Sequence, residues 1–226
     1  MTAKIISFMN QKGGVGKTTL AILTGVALHR RTKLKIGVID ADYQLSIYRH
    51  RINEDTNING FDIIPFDWKK ADDSDIPLYR FKDLIEDKEK VYDILIIDTP
   101  GRQQGEDIPA IIMVSDNLII PIVGATLDMD STVTFLKTIP PIAARLKQKS
   151  IDLNVYGVIN QYDGTLEYNE VEQLNGLNGL SLFDSKISNL VRYRRLSTVT
   201  DIINPKIKSD EFNIYYNEFL KRCKIK

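Results

Sequence analysis

Apolar residues fall along this chain in two alternating patterns. Short runs at Ile5-Ile6-Ser7-Phe8-Met9, Lys35–Asp40, Phe61–Phe66, Tyr92–Asp98, Asn117–Pro121 and Asn154–Asn160 read as strands. Several are continuously apolar rather than alternating, which suits strands covered on both faces of a sheet. Between them lie stretches with helical spacing. Leu20, Ile22, Leu23, Val26, Ala27 and Leu28 form one, Leu45, Ile47, Tyr48 and Ile52 a shorter one, and Leu78–Lys90 a third. A further helix is expected from about Asp130 to Lys149, interrupted or bent at Pro140-Pro141. Another follows from about Thr165, then a short segment at Leu182-Phe183 and Ile187, and two last helices near Arg192–Ile203 and Asp210–Lys224. Strands alternating with helices predict right-handed crossovers and an α/β fold with a doubly wound, mostly parallel sheet carrying helices on both faces. The 226 residues suit a single domain. Asp67–Pro77 is polar and turn-rich, holds the only tryptophan, Trp68, and reads as a surface loop or a partner contact.

The first strand runs into Gln11-Lys12-Gly13-Gly14-Val15-Gly16-Lys17-Thr18-Thr19, and a helix follows. Strand, glycine-rich turn and helix are what a phosphate-binding loop requires, because backbone N–H groups must turn inward without a Cβ in the way. Lys17 can reach β- and γ-phosphates, and the Thr18 hydroxyl can ligate Mg²⁺. Gln11 stands where the standard pattern has glycine, and Lys12 adds a second lysine at the outer edge of the loop. Lys12 either faces across to a second copy of the chain, with nucleotide sandwiched between the two, or faces solvent.

In a doubly wound sheet, ligands gather beyond the carboxyl ends of the strands. Asp40 and Asp42, Asp98 to Gly101, Asp128 and Asn160 all follow strand ends and should share one edge with the loop. Asp98 can hold Mg²⁺ beside Thr18, and Gly101 can bring an N–H near a γ-phosphate; a plain turn is the other reading. Of Asp40 and Asp42, one can support the metal and the other orient attacking water, or either can be a helix cap or turn residue. Asn160 can read a purine edge through its amide, or serve as a turn residue.

Composition narrows the setting. No apolar run approaches the roughly 20 residues of a membrane span, and Met1-Thr2-Ala3-Lys4 shows no cleavable-signal pattern. One cysteine, Cys223, leaves no internal disulfide or multi-cysteine metal site within one chain. These features point to the cytoplasm. Net charge is zero, yet residues 186–226 carry ten Lys/Arg against four acids. That basic end is either a polyanion-binding surface or a solvated helical face.

Lys12–Thr19 resembles the deviant Walker A box of the ParA/MinD ATPases, including its signature lysine. Asp40-Ala41-Asp42-Tyr43-Gln44 resembles their second acidic motif, with Tyr43 where proline is usual, and Ile96–Gly101 resembles their Walker B segment. Pro121 with Leu127-Asp128 is similar to their proline-loop region, and Val158-Ile159-Asn160 to their base-contacting strand end. Ile187–Arg192 and Asn204–Lys208 are similar to late segments of the small ParA partition proteins, with Ser188 and Asn189 where Pro-Arg is usual. The resemblance implies a P-loop ATPase without an N-terminal DNA-binding extension. Its ATP and Mg²⁺ would be held by Gly13, Gly14, Val15, Gly16, Lys17, Thr18, Thr19, Gly101 and Asn160, with Thr18, Asp40 and Asp98 around the metal. Lys12, Lys17 and Asp42 would serve catalysis. It further implies an ATP-dependent homodimer, non-specific DNA binding through Arg192, Arg194, Arg195, Lys206 and Lys208, a nucleoid location, and a ParB-like centromere-binding or adaptor partner that stimulates hydrolysis. A MinD-like membrane-associated ATPase is the alternative, since the tail Glu218–Lys226 mixes apolar and basic residues as an amphipathic anchor does.

Overall fold

The computed structural model describes residues 2–54, 58–69, 76–101, 107–124, 126–164 and 167–226, with the side chains of 126–128, 167, 169 and 194 outside that description. Seven strands form one sheet: β1 (Lys4–Phe8), β2 (Ile36–Asp40), β3 (Asp62–Pro65), β4 (Ile94–Asp98), β5 (Asn117–Ile122), β6 (Asn154–Tyr162) and β7 (Leu180–Ser188). Their spatial order is β3-β2-β4-β1-β5-β6-β7, and every pairing is parallel. β2, β3 and β4 lie on one side of β1 and β5, β6 and β7 on the other, so the chain changes side across the strand that feeds the glycine-rich loop. β1 pairs with β4 from Lys4↔Ile94 to Phe8↔Asp98, and β2 with β4 from Ile36↔Ile94 to Asp40↔Asp98. That register brings Asp40 and Asp98 side by side and level with the end of β1.

The continuous apolar strands divide their side chains between two cores, as the two-residue period of a strand requires. Ile6, Phe8, Ile94 and Ile96 enter one core with α1 (Lys17–Arg31), α2 (Ser46–Ile52) and α8 (Glu211–Arg222). Ile5, Met9, Leu95 and Ile97 enter the other, beneath α3 (Pro77–Lys88), α4 (Asp107–Val114), α5 (Thr126–Leu136), α6 (Ile139–Gln148) and α7 (Glu167–Val171).

Four expectations are revised. The helix over 130–149 is interrupted, but not at the prolines: it is two helices, α5 and α6, and α5 begins at Thr126. Pro140 and Pro141 lie in the first turn of α6, where a missing N–H costs nothing, so the break falls at Lys137-Thr138 instead. The helix expected over 192–203 is only a 3₁₀ turn, Val191–Arg194. Side-chain acceptors capture its backbone donors beyond that turn: Ser197 Oγ accepts from the N–H of Val199 and Thr200, and Asp201 from that of Ile203. The segment marked only by Leu182-Phe183 and Ile187 is a full strand, β7. Trp68 is buried rather than part of a surface loop: it stacks on Phe81 at 5.0 Å, and its indole N–H donates to the Ala41 carbonyl at 2.8 Å.

No helix among the described residues is long and apolar enough to cross a membrane. Of the apolar residues in the tail Glu218–Lys226, Phe219 and Cys223 are buried and Leu220 and Ile225 pack, partly buried, against the same core. Phe212, Tyr215, Tyr216, Phe219 and Cys223 are buried in the core that α8 shares with α1 and β7.

Candidate active site

The loop between β1 and α1 is fixed at both ends. At its start, Asn10 is fully buried. Its amide donates to the Pro121 carbonyl at 2.9 Å and the Thr132 hydroxyl at 3.0 Å, while its oxygen accepts from the Lys12 N–H at 3.1 Å. At its far end, Gly14 and Gly16 take φ of 80° and 93°, in the left-handed region. A Cβ on Gly16 would overlap the Asn160 side-chain nitrogen, so glycine is required there twice over. Lys17 lies back along the loop, and its ammonium donates to the Lys12 carbonyl at 3.2 Å. Gly101 lies alongside; a Cβ there would stand 3.5 Å from the Gly13 Cα and 3.8 Å from the Lys17 ammonium.

The β4 and β2 ends supply the acids. Thr18 Oγ1 donates to Asp98 Oδ2 at 2.7 Å, and Asp98 is fully buried. Burial pushes the Asp98 carboxyl well above the usual carboxylate range, with Asp40 and Asp42 adding to the rise against Thr18 and Lys17. Burial also lowers the Lys17 ammonium, although Asp98 and Asp42 pull it the other way. Opposite charges near one another normally hold each other ionised; here desolvation outweighs that attraction and shifts both groups towards their neutral forms. A polyphosphate beside Lys17 and a cation beside Asp98 each favour the charged forms. Asp98 Oδ1 is buried and makes no hydrogen bond. A buried carboxylate oxygen of that kind, next to a threonine hydroxyl, fits a divalent cation. No group of three or more acidic, histidine or cysteine side chains among the described residues could hold a metal alone. Phosphate oxygens would have to complete such a shell.

Asp40 is fully buried and accepts from the N–H of Tyr48 at 2.9 Å and of Asp42 at 3.4 Å. Burial raises its pKa, and those N–H groups oppose the rise. It therefore both caps α2 and stands beside Asp98. Asp42 is partly exposed and accepts from the Gln44 N–H at 2.7 Å. The turn that carries it is pinned on both sides: by Trp68 at Ala41, and by Tyr43, whose hydroxyl donates to Asp107 Oδ2 at 2.5 Å. Asn160 is buried and gives its amide to the Val15 carbonyl at 2.7 Å, so in this structure it holds the loop. Beside it opens a cavity of about 80 Å³ lined by Gly16, Thr19, Leu20, Asn160, Ile187 and Tyr193.

Sequence reasoning thus brought the loop, Asp40, Asp42, Asp98, Gly101 and Asn160 to one edge, and the structure places them there. It missed Asn10, Tyr43, Trp68 and Gln161. A polar residue closing an apolar strand was the available signal for Asn10; for the others the contact is long-range. The basic residues lie apart. Arg195, Lys206 and Lys208 are exposed, and the Arg194 side chain lies outside the described residues, as does that of Asp128. Arg192 is committed to the fold: it pairs with Asp210 at 2.7 Å, and Asp210 caps α8 through the Phe212 N–H.

An all-parallel sheet that turns at the strand feeding a phosphate loop, with acids at two neighbouring strand ends, defines a P-loop nucleotide-binding protein. The family model described as ATPase MipZ matches residues 4–158, and the chain belongs to that family, within the ParA/MinD group of deviant Walker A ATPases. Among curated proteins it is similar to Maintenance of carboxysome distribution protein A of Gloeobacter kilaueensis, at 29% identity over 128 residues, 56% of this chain and 52% of that one. The match thus spans about half the length of that relative. It is also similar to Sporulation initiation inhibitor protein Soj of Bacillus subtilis, at 28% identity, covering 69% of this chain and 71% of the other. A plasmid partition protein of Borrelia burgdorferi, solved with AMPPNP, shares the fold at a TM-score of 0.68 and 20% identity, covering 97% of this chain and 99% of the other.

Proposed function

We propose that this protein is a ParA-type partition ATPase that hydrolyses ATP, dimerises over the bound nucleotide, and binds DNA non-specifically in that state. The observation that carries the reading is the Lys12–Lys17–Thr18–Asp98 arrangement, with its Lys12 carbonyl contact and the unbonded Asp98 oxygen. The relatives support it: family membership brings an ATPase description, and one structure of the same fold was solved with an ATP analogue. Thr18 and Asp98, with Asp40 behind them, would hold Mg²⁺, which when bound neutralises charge on the phosphates.

In this reading the N–H groups of residues 13–19 bind the phosphates and Lys17 leaves the Lys12 carbonyl to meet them. Asp42, on its pinned turn, orients the attacking water, and Gly101 senses the γ-phosphate. Lys12 acts across the interface on the second copy's nucleotide, supplying positive charge as negative charge develops. Arg195, Lys206 and Lys208 contact DNA phosphates without reading bases; DNA binding would place the protein on the nucleoid in the cytoplasm. A ParB-like centromere-binding or adaptor protein would stimulate hydrolysis and release the dimer, so that DNA or another cargo is segregated or positioned. The test is an ATPase assay with and without non-specific DNA, beside measurement of size with ATP. Stimulation with dimerisation is expected; a monomer that ignores DNA would overturn the reading.

A further inference from the structure

The pairing of β6 with β7 slips between Asn160 and Tyr162. Gln161 sits in that irregularity with φ of 55°, a left-handed conformation that is costly for a residue with a Cβ. Two contacts surround it. Its carbonyl accepts from the Tyr168 hydroxyl at 2.6 Å, and its side-chain Nε2 donates to the Gly14 carbonyl at 2.6 Å. Asn160, one residue earlier, donates to the Val15 carbonyl at 2.7 Å. Two consecutive amides at the end of one strand therefore hold two consecutive carbonyls of the glycine-rich loop.

Those carbonyls matter because a phosphate loop works by peptide orientation. Each N–H turned towards the anion requires its carbonyl partner to be held away from it, and a flipped peptide would set an oxygen against the phosphate. Gly14, at φ of 80° and with no atom within 4 Å of where a Cβ would stand, has the backbone freedom to flip. Strained backbone kept in place by surrounding contacts is the usual mark of a functional position.

We propose that Gln161 is a positioning residue of the phosphate loop: with Asn160 it pins the Gly14 and Val15 carbonyls outward, and affinity for the polyphosphate of a nucleotide depends on that grip. The inference rests on the phosphate-site reading of residues 11–19. It differs from base recognition, which would act at the other end of the nucleotide.

The test measures binding of ATP and of inorganic tripolyphosphate, which has neither base nor sugar, to the full chain and to the Gln161→Met and Gln161→Gly variants, with a melting curve for each. Both variants should weaken both ligands by the same factor, about three- to ten-fold, the size of one missing hydrogen bond. Gln161→Gly should melt no lower than the parent, because glycine accepts φ of 55° without strain. Unchanged tripolyphosphate affinity, or a loss confined to ATP, would overturn the proposal. So would a drop in the melting temperature of Gln161→Gly alongside its loss of binding, since the residue would then be merely structural. If Gln161→Met melts low, the glycine variant alone decides. A parent chain that binds neither ligand would remove the phosphate-site reading, and this inference with it.

Discussion

At the carboxyl ends of β1, β2 and β4, the working residues stand where the sheet puts them. Asp40 and Asp98 are register partners, and the loop begins one strand away. Between residues 195 and 210 there is neither strand nor helix, and the backbone is held by side chains from elsewhere. Arg51 bonds the Thr198 hydroxyl at 2.5 Å and carbonyl at 2.8 Å, Glu54 accepts from the Thr198 N–H at 2.9 Å and also bonds its hydroxyl, and Arg30 donates to the Val199 carbonyl at 2.9 Å. Arg31 reaches Asp201 at 2.6 Å, and Asn213 donates to the carbonyls of Asn204 and Ile207, each at 2.8 Å. Asp40 and Asp98 are placed by the backbone hydrogen bonding of the sheet, with side chains pinning the loop and turn beside them, whereas residues 195–210 are placed by polar tethers. Geometry for chemistry therefore sits on the rigid part. The basic residues proposed to meet DNA phosphates, a role that needs only rough placement, sit on the tethered part.

The sharpest way to break this contrast is to remove a charge from the rigid edge. Lys12→Ala should still bind ATP, because the loop N–H groups and the Lys17 ammonium that would meet the phosphates remain, and the Lys12 group that Lys17 contacts in this structure is a backbone carbonyl, which the change keeps. Hydrolysis stimulated by DNA and partner should fall about 10³-fold, the scale of a missing trans-acting cation. Normal stimulated turnover in a steady-state assay would show that each chain holds a complete site. Asp42→Ala should slow turnover by about 10²-fold, within the range of a missing general base, and leave the ATP form on DNA. Its release in a DNA dissociation assay should be correspondingly late, and release at the parent rate would remove Asp42 from the reaction.

The tethered region should respond differently. Reversing Arg195, Lys206 and Lys208 to glutamate should lower DNA affinity by at least about 10-fold and reduce its salt slope by about 0.9 for each phosphate no longer neutralised. Nucleotide affinity should not change. A parallel loss of ATP binding would mean that the two regions are one. Arg192 is left out of this set because its loss would expose the Asp210 cap of α8 and confuse folding with binding.

The same contrast explains what could be read in the sequence. The phosphate loop is local: nine consecutive residues between a strand and a helix specify it. Asp98 and Asp40 were visible because continuous apolar strands end on them. β7 was missed because an edge strand is buried unevenly, with exposed Asp184 set among buried Leu180, Phe183, Ser185 and Ile187. The stretch 192–203 looked helical from composition, yet its helix is undone by Ser197 and Asp201 hydrogen-bonding to nearby backbone, and by partners some 140–170 residues away. Trp68 looked exposed among polar neighbours for a related reason: its partners, Ala41 and Phe81, lie on either side of it at a distance in sequence.

The smallest expected effect tests whether the tethers are structural at all. Burial alone would push the Glu54 carboxyl upward, but hydrogen bonds from Thr198 and Ser197 and the proximity of His50 outweigh it and bring the group below its ordinary 4.5. A carboxyl lowered in the folded state binds its proton more weakly there than in the unfolded chain. Its contribution to stability is therefore complete above about pH 4.5 and is lost as the pH falls through the lower, folded value. Glu54→Gln keeps the shape but gives up the charge. It should cost about 1.5–3 kcal/mol at neutral pH, the range for a hydrogen bond to a charged acceptor, and flatten the acid limb of stability against pH. Urea unfolding at pH 7 and at pH 4 measures both quantities. Equal losses at the two pH values would mean that the charge of Glu54 does not hold Thr198, leaving Arg51 and Arg30 as the contacts that set the position of the basic loop.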